Sequence, residues 1–354
     1  MSLADIEFIN MCKDVLENGT STEGQKVRPH WPDGTPAYTI MKFCEINRFD
    51  LSEEFPMLTL RKTGIKSATD EILWIWQRKS NNIHDLAPHI WDEWADEDGG
   101  IGKAYGYQMG VKHPFREVND EGLKNAFPGY YCFGTLPADY EKDLKNSQVF
   151  LTEEERTLAA SGKSEGGERV FFDGETGRVA AVTAGGRWNV DQVDKVIYDL
   201  VNAPFGRRIM TTIWNPEELD EMNLQPCAYS CTFTVTQKEG HEKLTLNMIL
   251  NQRSQDILAA WAWNTCQYAV LQHMIAQTVG MEVGEFVHVD ANAHIYAPRH
   301  IPAIKELISR TPKPAPEFWL DPEIHDFYRF TKDSVKLIGY EVAGEQITDI
   351  EIAI

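Results

Sequence analysis

Residues that could carry out chemistry on a phosphorylated ring are gathered in the second half of the chain. Cys227 offers a thiol nucleophile, and Asn264 offers an amide that can read one edge of a base. Arg207, Arg208 and Arg253 offer guanidinium groups suited to a phosphate. A ring carbon becomes reactive when a nucleophile adds to it temporarily while the phosphate holds the ring in register. The combination therefore indicates chemistry at a pyrimidine carbon.

Each of these residues also has an ordinary structural interpretation. A cysteine before a β-like run is more often a buried core residue than a nucleophile, and we expect Cys231 and Cys266 to be core. A lone arginine usually lies solvated at the surface. Asn264 could cap the helix that follows it. The interpretation of Cys227 as a nucleophile therefore depends on the arginines that accompany it.

Glu71 lies on the apolar face of a predicted helix over residues 66–77. A carboxylate there is costly unless it is paired or protonated, and a carboxyl group with a raised pKa is useful near neutral pH. The alternative is a carboxylate at the helix rim with its head in water. Trp91 and Trp94 could supply flat surfaces for a base or a pterin, although aromatic residues at such spacing are usually core.

The charge of the chain limits its partners. The 354 residues carry a formal net charge of −20, which opposes binding to nucleic acid backbones or anionic membranes. A small phosphorylated ligand remains compatible with this charge, because a local arginine cluster acts over a short range. The length suffices for one large domain or two modest ones with a sizeable core.

Cysteine and histidine usage points to a reduced protein without a metal. The six cysteines are scattered without a CxxC pair, which predicts free thiols and a cytoplasmic setting. His84, His89, His294 and His300 lack metal-ligand spacing with an acid or thiol, so we expect no metal site. The sequence has neither an apolar run of ~20 residues nor the pattern of a signal peptide.

Hydrophobic periodicity predicts a mixed sheet with packed helices. A helix is expected before Gly19, and charge, glycine and turn residues from about Arg116 to Arg187 predict a surface insertion or small subdomain. The other predicted helices cover residues 66–77, 191–202, 263–279 and 301–310. The predicted strands cover residues 38–43, 209–213, 231–235 and 244–250, and residues 348–354 are expected to form a terminal strand or tail.

Ordered segments along nearly the whole chain resemble those of the folate-dependent thymidylate synthases. These segments are residues 55–62, 71–74, 90–94, 105–108, 207–209, 214–216, 226–227, 252–254 and 294–296. The resemblance implies an α/β fold of the α+β type, with three layers and a mixed β-sheet. Residues 1–354 would form one large catalytic domain, and residues 116–187 would be an inserted subdomain within it.

The resemblance also implies a reaction. Cys227 would attack C6 of dUMP, and the activated C5 would take a one-carbon unit and then a hydride from 5,10-methylenetetrahydrofolate, giving dTMP and dihydrofolate. Arg253 would bind phosphate and favour the thiolate. Glu71, through water, would assist proton transfer at O4 and departure of the folate amine, and Tyr105 would assist loss of the C5 proton.

Binding roles follow from the same resemblance. Asn264 would select uracil, and the folate-binding aspartate of the family would be Asp256. In this family the arginines at 207 and 208 reach the phosphate of the other subunit's site, which implies a homodimer. The implied dUMP-binding residues are Arg28, Arg207, Arg208, Arg253, Ser254, Asp256, Asn264, His294 and Tyr296. The implied folate-binding residues are Trp91, Trp94, Asp256, Ala260, Trp263 and Ile354.

The sequence departs from the family pattern at three places, and these leave alternatives open. Ala228 stands where a histidine usually follows the nucleophile, and Asn292 replaces an aspartate. Residues 259–264 replace a pattern with glycine and proline by one with two tryptophans, which should reshape the folate pocket. One alternative is a relative that traps the methylene with water to make 5-hydroxymethyl-dUMP. Another is a catalytically weakened protein that binds nucleotide or RNA.

Overall fold

The computed structural model describes residues 1–129, 131–137, 140, 142–145, 148–161, 167–237, 239–348 and 350–353. The helices are α1 (Leu3–Asn18), α2 (Ile65–Trp76), α3 (Gly106–Gly110), α4 (Asp120–Ala126), α5 (Glu153–Ala160), α6 (Gln192–Asn202), α7 (Ala262–Thr278) and α8 (Ile301–Ser309). The first seven strands are β1 (Thr20–Ser21), β2 (Thr39–Asp50), β3 (His113–Pro114), β4 (Tyr131–Thr135), β5 (Arg169–Asp173), β6 (Val179–Ala184) and β7 (Arg187–Val190). The remaining strands are β8 (Met210–Thr212), β9 (Ala228–Thr236), β10 (Thr245–Gln252), β11 (Gln255–Asp256), β12 (Glu282–Tyr296), β13 (Glu317–Leu320) and β14 (Val335–Ile338).

A mixed sheet forms the centre of the molecule. Its strands run in the order β1-β2-β12-β10-β9-β8, and the short β11 pairs with β12. β10 and β11 run parallel to β12, and the other neighbours are antiparallel. The predicted fold class is therefore confirmed. Parallel strands end at the same edge of a sheet, so the residues that follow β10 and those that end β12 come together.

One face of this sheet is covered by helices. The row of Met248, Phe233 and Phe286 on neighbouring strands is buried beneath α1 and α7. α7 lies between the sheet and α2, and the β13–β14 hairpin packs on α2. α7 is buried along almost its whole length, as expected for a helix enclosed between two layers. Polar residues on α7 must therefore find partners inside the protein.

A second, five-stranded antiparallel sheet has the order β3-β7-β6-β5-β4. One of its faces joins the main core through residues such as Phe171 and Ala181. The other face builds a small core of its own that includes Phe172, Val170 and Val182. The charge-rich and glycine-rich composition of residues 116–187 did not predict these strands. The assignment of 116–187 as an inserted subdomain stays a prediction.

Most of the other predicted elements are confirmed within three residues at each end, but β2 continues to Asp50, seven residues beyond the strand predicted over residues 38–43. α1 ends before Gly19, and α7 is followed by Gly280 with a φ of +70°. The sequence did not predict β12, the longest of the strands described, because Gly284, Asp290 and Asn292 interrupt its apolar pattern. The described residues at the end of the chain form a tail rather than a strand.

Candidate active site

A cavity of about 490 Å³ opens beside the carboxyl ends of β10 and β12, between α2 and the start of α7. It brings together the predicted residues Arg28, Glu71, Trp91, Trp94, Tyr105, Cys227, Arg253, Ser254, Asp256, Ala260, Trp263, Asn264, His294 and Tyr296. Arg207 and Arg208 are exposed and do not line it. Ile354 lies outside the described residues, but its neighbours Ile352 and Ala353 line the cavity.

Cys227 is half-buried and lies immediately before β9, with its thiol in the cavity. Burial raises the pKa of this thiol, whereas the charges of Arg253 and Arg28 lower it. Cys231 and Cys266 are fully buried, which confirms them as core residues, and burial raises the pKa of Cys266 to about 12. Cys227 is therefore distinguished from both by its access to the cavity and by its two cationic neighbours.

Arg253 is held against the nucleophile by the backbone. Its Nε donates to the carbonyl of Pro226 at 2.9 Å, and its Nη2 donates to the carbonyl of Gln225 at 2.8 Å. The Arg253 backbone N–H donates to the Cys227 carbonyl at 3.0 Å. These bonds leave donors of the guanidinium free to point at an anion in the cavity.

Glu71 is buried, with 6% of its surface exposed, so the interpretation that places its head in water is wrong. Trp91 Nε1 donates to one carboxyl oxygen at 3.0 Å, and Trp263 Nε1 donates to the other. Burial raises the pKa of this carboxyl group, while hydrogen bonds from Trp263, Trp91 and Gln267 counteract part of the effect. A carboxyl group with a raised pKa can exchange protons near neutral pH.

Tyr105 lies at the start of α3 and faces the nucleophile. Its hydroxyl accepts a hydrogen bond from the backbone N–H of Cys227 at 3.3 Å, and burial raises its pKa. Its backbone has a φ of +45° and a ψ of −103°, a strained conformation for a bulky side chain. Gly106 follows because a Cβ there would lie 2.0 Å from the Ser80 carbonyl oxygen. Such strain is typical of a functional site.

Asn264 lies inside the first turn of α7 rather than at its cap, so the capping interpretation is wrong. A π-helical turn over Ile257–Trp261 precedes α7 and widens the backbone there. The Asn264 amide contacts the Gln267 side chain at 3.4 Å. Sequence reasoning missed Gln267, although a glutamine three residues from Asn264 on a buried helix was a usable signal.

Asp256 ends β11 and directly precedes the π-helical turn. It caps the π-helical turn by accepting from the Ala259 N–H at 3.1 Å, and it lies 3.6 Å from His300 Nδ1. Burial opposes its charge, but the hydrogen bond and charge of His300 bring the pKa of Asp256 below its usual value. His294 Nδ1 lies 3.0 Å from the Asn292 amide oxygen, so the residue that departs from the family pattern contacts the histidine two residues later.

Comparison with known proteins identifies the family of the chain. The family model described as thymidylate synthase matches residues 6–353. The thymidylate synthase of Bacillus subtilis subsp. natto is 35% identical over 356 residues, which cover 99% of this chain and 100% of that protein. The chain belongs to the thymidylate synthase family. The thymidylate synthase of Bacillus licheniformis is 36% identical, with 100% of both chains covered.

The fold agrees as well. The solved structure of thermostable thymidylate synthase A from Bacillus subtilis is 34% identical, and it matches with a TM-score of 0.71 over 99% of each chain. Among the described residues of this thymidylate synthase family member, we find no group of three or more histidine, cysteine or acidic side chains arranged to hold a metal. None of the helices described is long and apolar enough to cross a membrane.

Sequence reasoning also missed a clamp that holds two segments over the cavity. Arg299 Nη1 lies 2.6 Å from Glu351 of the C-terminal tail, and Nη2 lies 2.5 Å from Asp33 of the loop that carries Arg28. The guanidinium lies 4.6 Å from the centroid of the Trp31 ring. Arg299 lies three residues after Tyr296, outside the motif at residues 294–296. Only the folded chain brings its partners together.

Proposed function

We propose that this member of the thymidylate synthase family converts dUMP to dTMP, with 5,10-methylenetetrahydrofolate as the donor of both the carbon and the hydride. The observation that carries the proposal is the meeting of Cys227, Arg253 and Glu71 in one cavity. A nucleophile, a cation beside it and a buried carboxyl group are what addition to a uracil ring and the later proton transfers require.

Cys227 begins the reaction as the thiolate and adds to C6 of the uracil ring. The electron pair of the C5=C6 bond moves through C5 to O4, and C5 then forms a bond to the one-carbon unit of the folate. Arg253 and Arg28 lower the pKa of the thiol and hold the phosphate. Asn264 faces the base edge from α7, and His294 and Tyr296 line the ribose side.

Proton transfers complete the sequence. Glu71 acts through water at O4 and at the departing folate amine, and Tyr105 assists loss of the proton from C5. Departure of the folate amine leaves an exocyclic methylene at C5, which accepts a hydride from the same folate. The C5=C6 double bond is then restored as the Cys227 thiolate leaves C6. Trp91, Trp94 and Trp263, together with Ala260, line the folate side of the cavity, with Asp256 near its edge.

We propose that the chain acts as a homodimer. Met210, Thr232, Ile249 and Val287 form a row across neighbouring strands on the sheet face opposite the helices. Met210 is 49% exposed and Ile249 is 38% exposed. Val287 is buried, so Met210 and Ile249 are the exposed large apolar side chains of this row. Exposed apolar side chains on a sheet face are typical of a protein interface. Arg207 and Arg208 are exposed and lie just before β8. In a dimer they are available to the phosphate of a nucleotide bound in the partner's site.

Mixing two inactive variants tests this assembly. Cys227→Ala removes the nucleophile, whereas Arg208→Ala leaves it intact and removes an arginine that we assign to the partner's site. If the arginine is shared, unfolding and refolding the mixture restores activity, because some dimers then contain one complete site. A mixture that stays inactive, or a wild-type protein that sediments as a monomer at assay concentration, contradicts the proposal.

The setting of the protein is also a proposal. All six cysteines are free, which supports a reducing, cytoplasmic compartment. The net charge of −20 supports small-molecule substrates over nucleic acid.

The decisive assay incubates the protein with dUMP and 5,10-methylenetetrahydrofolate and identifies the nucleotide by mass. We expect dTMP and dihydrofolate. Formation of 5-hydroxymethyl-dUMP and tetrahydrofolate would show that the protein is a hydroxymethylase instead, and the absence of product would favour a protein that only binds its ligand.

In a second experiment, 5-fluoro-dUMP and the folate should give a covalent adduct on the peptide that contains Cys227. Cys231→Ala, which alters only a core thiol, serves as the control and should still form it.

A further inference from the structure

The Glu71 carboxyl group has a separate indole donor on each of its oxygens. Trp91, which follows α2, donates to Oε1 at 3.0 Å, and Trp263, in the first turn of α7, donates to Oε2. The two donors come from segments that are more than 170 residues apart in the chain. A carboxylate held by two fixed donors has one defined orientation.

The titratable groups that act on Glu71 are neutral near pH 7. They are Tyr105 before α3 and, on α7, Cys266 and Tyr268, and burial raises the pKa of each. Within the part of the chain that the structure describes, no cation forms an ion pair with Glu71. The neutral donors Trp91, Trp263 and Gln267 are therefore what stabilises the ionised carboxyl group against burial.

We propose that Trp263 is a positioning residue, whose indole N–H orients the Glu71 carboxyl group in the cavity and shares with Trp91 the stabilisation of its ionised form. The inference rests on the proposed role of Glu71 in proton transfer. It assigns a second task to a tryptophan that also lines the folate side of the cavity. The half-buried indole can do both, because its edge donates to Glu71 while the ring remains part of the wall.

Trp261 provides a matched control in the same segment. It lies two residues before Trp263, but its indole Nε1 donates to Asn47 Oδ1 at 2.9 Å within the core. It is fully buried and does not line the cavity. Replacing either tryptophan by phenylalanine removes one indole donor and keeps an aromatic ring, so the two variants differ mainly in which acceptor loses its partner.

The first test observes the indole N–H groups directly and needs no substrate. The chain has ten tryptophans, so ¹⁵N-labelled protein gives ten indole signals. The Trp263 and Trp91 signals are assigned by their disappearance in Trp263→Phe and Trp91→Phe. Both signals should shift strongly in Glu71→Gln, and both should change position with pH as Glu71 ionises in the wild-type protein. The signal that disappears in Trp261→Phe should do neither. If only the Trp91 signal responds to Glu71, the proposal is overturned.

The second test uses the pH dependence of kcat. Removing a donor to the ionised form raises the pKa of a carboxyl group. The limb of the pH profile that reflects Glu71 is the one that is lost in Glu71→Gln. The apparent pKa of this limb should therefore be about one pH unit higher in Trp263→Phe, which is the scale of one hydrogen bond to a charged group. It should stay in place in Trp261→Phe. A Trp263→Phe profile that superimposes on that of wild type overturns the proposal. An inactive wild-type protein would contradict the proposed function, but the indole spectra would still decide the role of Trp263.

Discussion

The hydroxyl of Tyr105 lies 3.3 Å from the backbone nitrogen of Cys227, so the residue proposed to move the C5 proton also contacts the segment that carries the nucleophile. The backbone of Tyr105 has a positive φ of +45°, so the residue at this contact is also conformationally strained. The contact joins two parts of the cavity, because Tyr105 lies before α3 and Cys227 lies before β9. Their relative placement depends on the packing of both segments.

Tyr105→Phe should reduce kcat by about 10²-fold, the lower end of the contribution expected from a positioned acid–base group. The ring keeps its packing, but the hydroxyl that faces the Cys227 N–H is lost. Rapid-quench measurement of dTMP formation reports this change. Formation of the 5-fluoro-dUMP adduct should persist, because that complex does not require loss of a C5 proton. A variant with wild-type kcat would remove Tyr105 from the mechanism.

Arg28→Gln should move alkylation of Cys227 to higher pH. Burial raises the pKa of this thiol and Arg28 lowers it, so loss of the guanidinium raises the pKa further and reduces the thiolate fraction near neutral pH. Iodoacetamide labelling, followed by peptide mass, measures the rate at each pH. The exposed Cys44 and Cys132 serve as internal controls and should react as they do in wild type. Equal profiles at Cys227 would show that Arg28 does not act on the thiol.

Asn264→Asp should weaken discrimination between dUMP and dCMP. An amide donates to O4 of uracil and accepts from its N3–H, whereas a carboxyl group can accept from the cytosine amino group. Competition between the two nucleotides, measured as the ratio of kcat/KM values, tests this expectation. Unchanged discrimination would show that Asn264 does not face the base.

Arg299→Ala should raise the KM for the folate more than the KM for dUMP. The substitution removes the contacts of Arg299 with Glu351 and Asp33, so the tail loses an attachment beside Ile352 and Ala353, which line the cavity. Arg299→Lys should recover part of the effect, because a single ammonium cannot bond both carboxylates as the guanidinium fork does. Lys66→Ala breaks an exposed pair with Asp333 and should leave both constants unchanged. An unchanged KM for the folate would contradict the clamp.

Arg178→Ala should lower the free energy of unfolding by about 3–5 kcal/mol. Arg178 is buried between the second sheet and α6, where it lies 2.8 Å from Asp194, and its loss leaves a buried carboxylate without its main partner. Arg169→Ala breaks an exposed pair with Asp120 and should cost only about 0–1 kcal/mol. Urea unfolding of both variants measures the difference. Similar losses would show that this buried pair contributes no more to stability than the exposed pair.

The sequence predicted the elements of the fold better than their arrangement. α1, α2, α6, α7 and α8 have an apolar face or a long apolar run, which made them recognisable. β12 was not predicted because polar residues such as Asp290 and Asn292 lie within it and interrupt the alternation of apolar residues. The strands of the second sheet were not predicted because the turns between them give residues 116–187 a composition rich in charge and glycine.

By itself, the sequence determined the family, and it predicted Cys227 as the nucleophile and most of the site residues that line the cavity, because residue types and their order along the chain carry that information. Only the tertiary structure decided that both indoles of Trp91 and Trp263 reach one carboxyl group, that Asn264 lies inside a helix, and that Arg299 joins two distant segments. These contacts join residues far apart in the chain. They arise from the packing of α2, α7 and the sheet, and a local pattern of residues does not encode such distances.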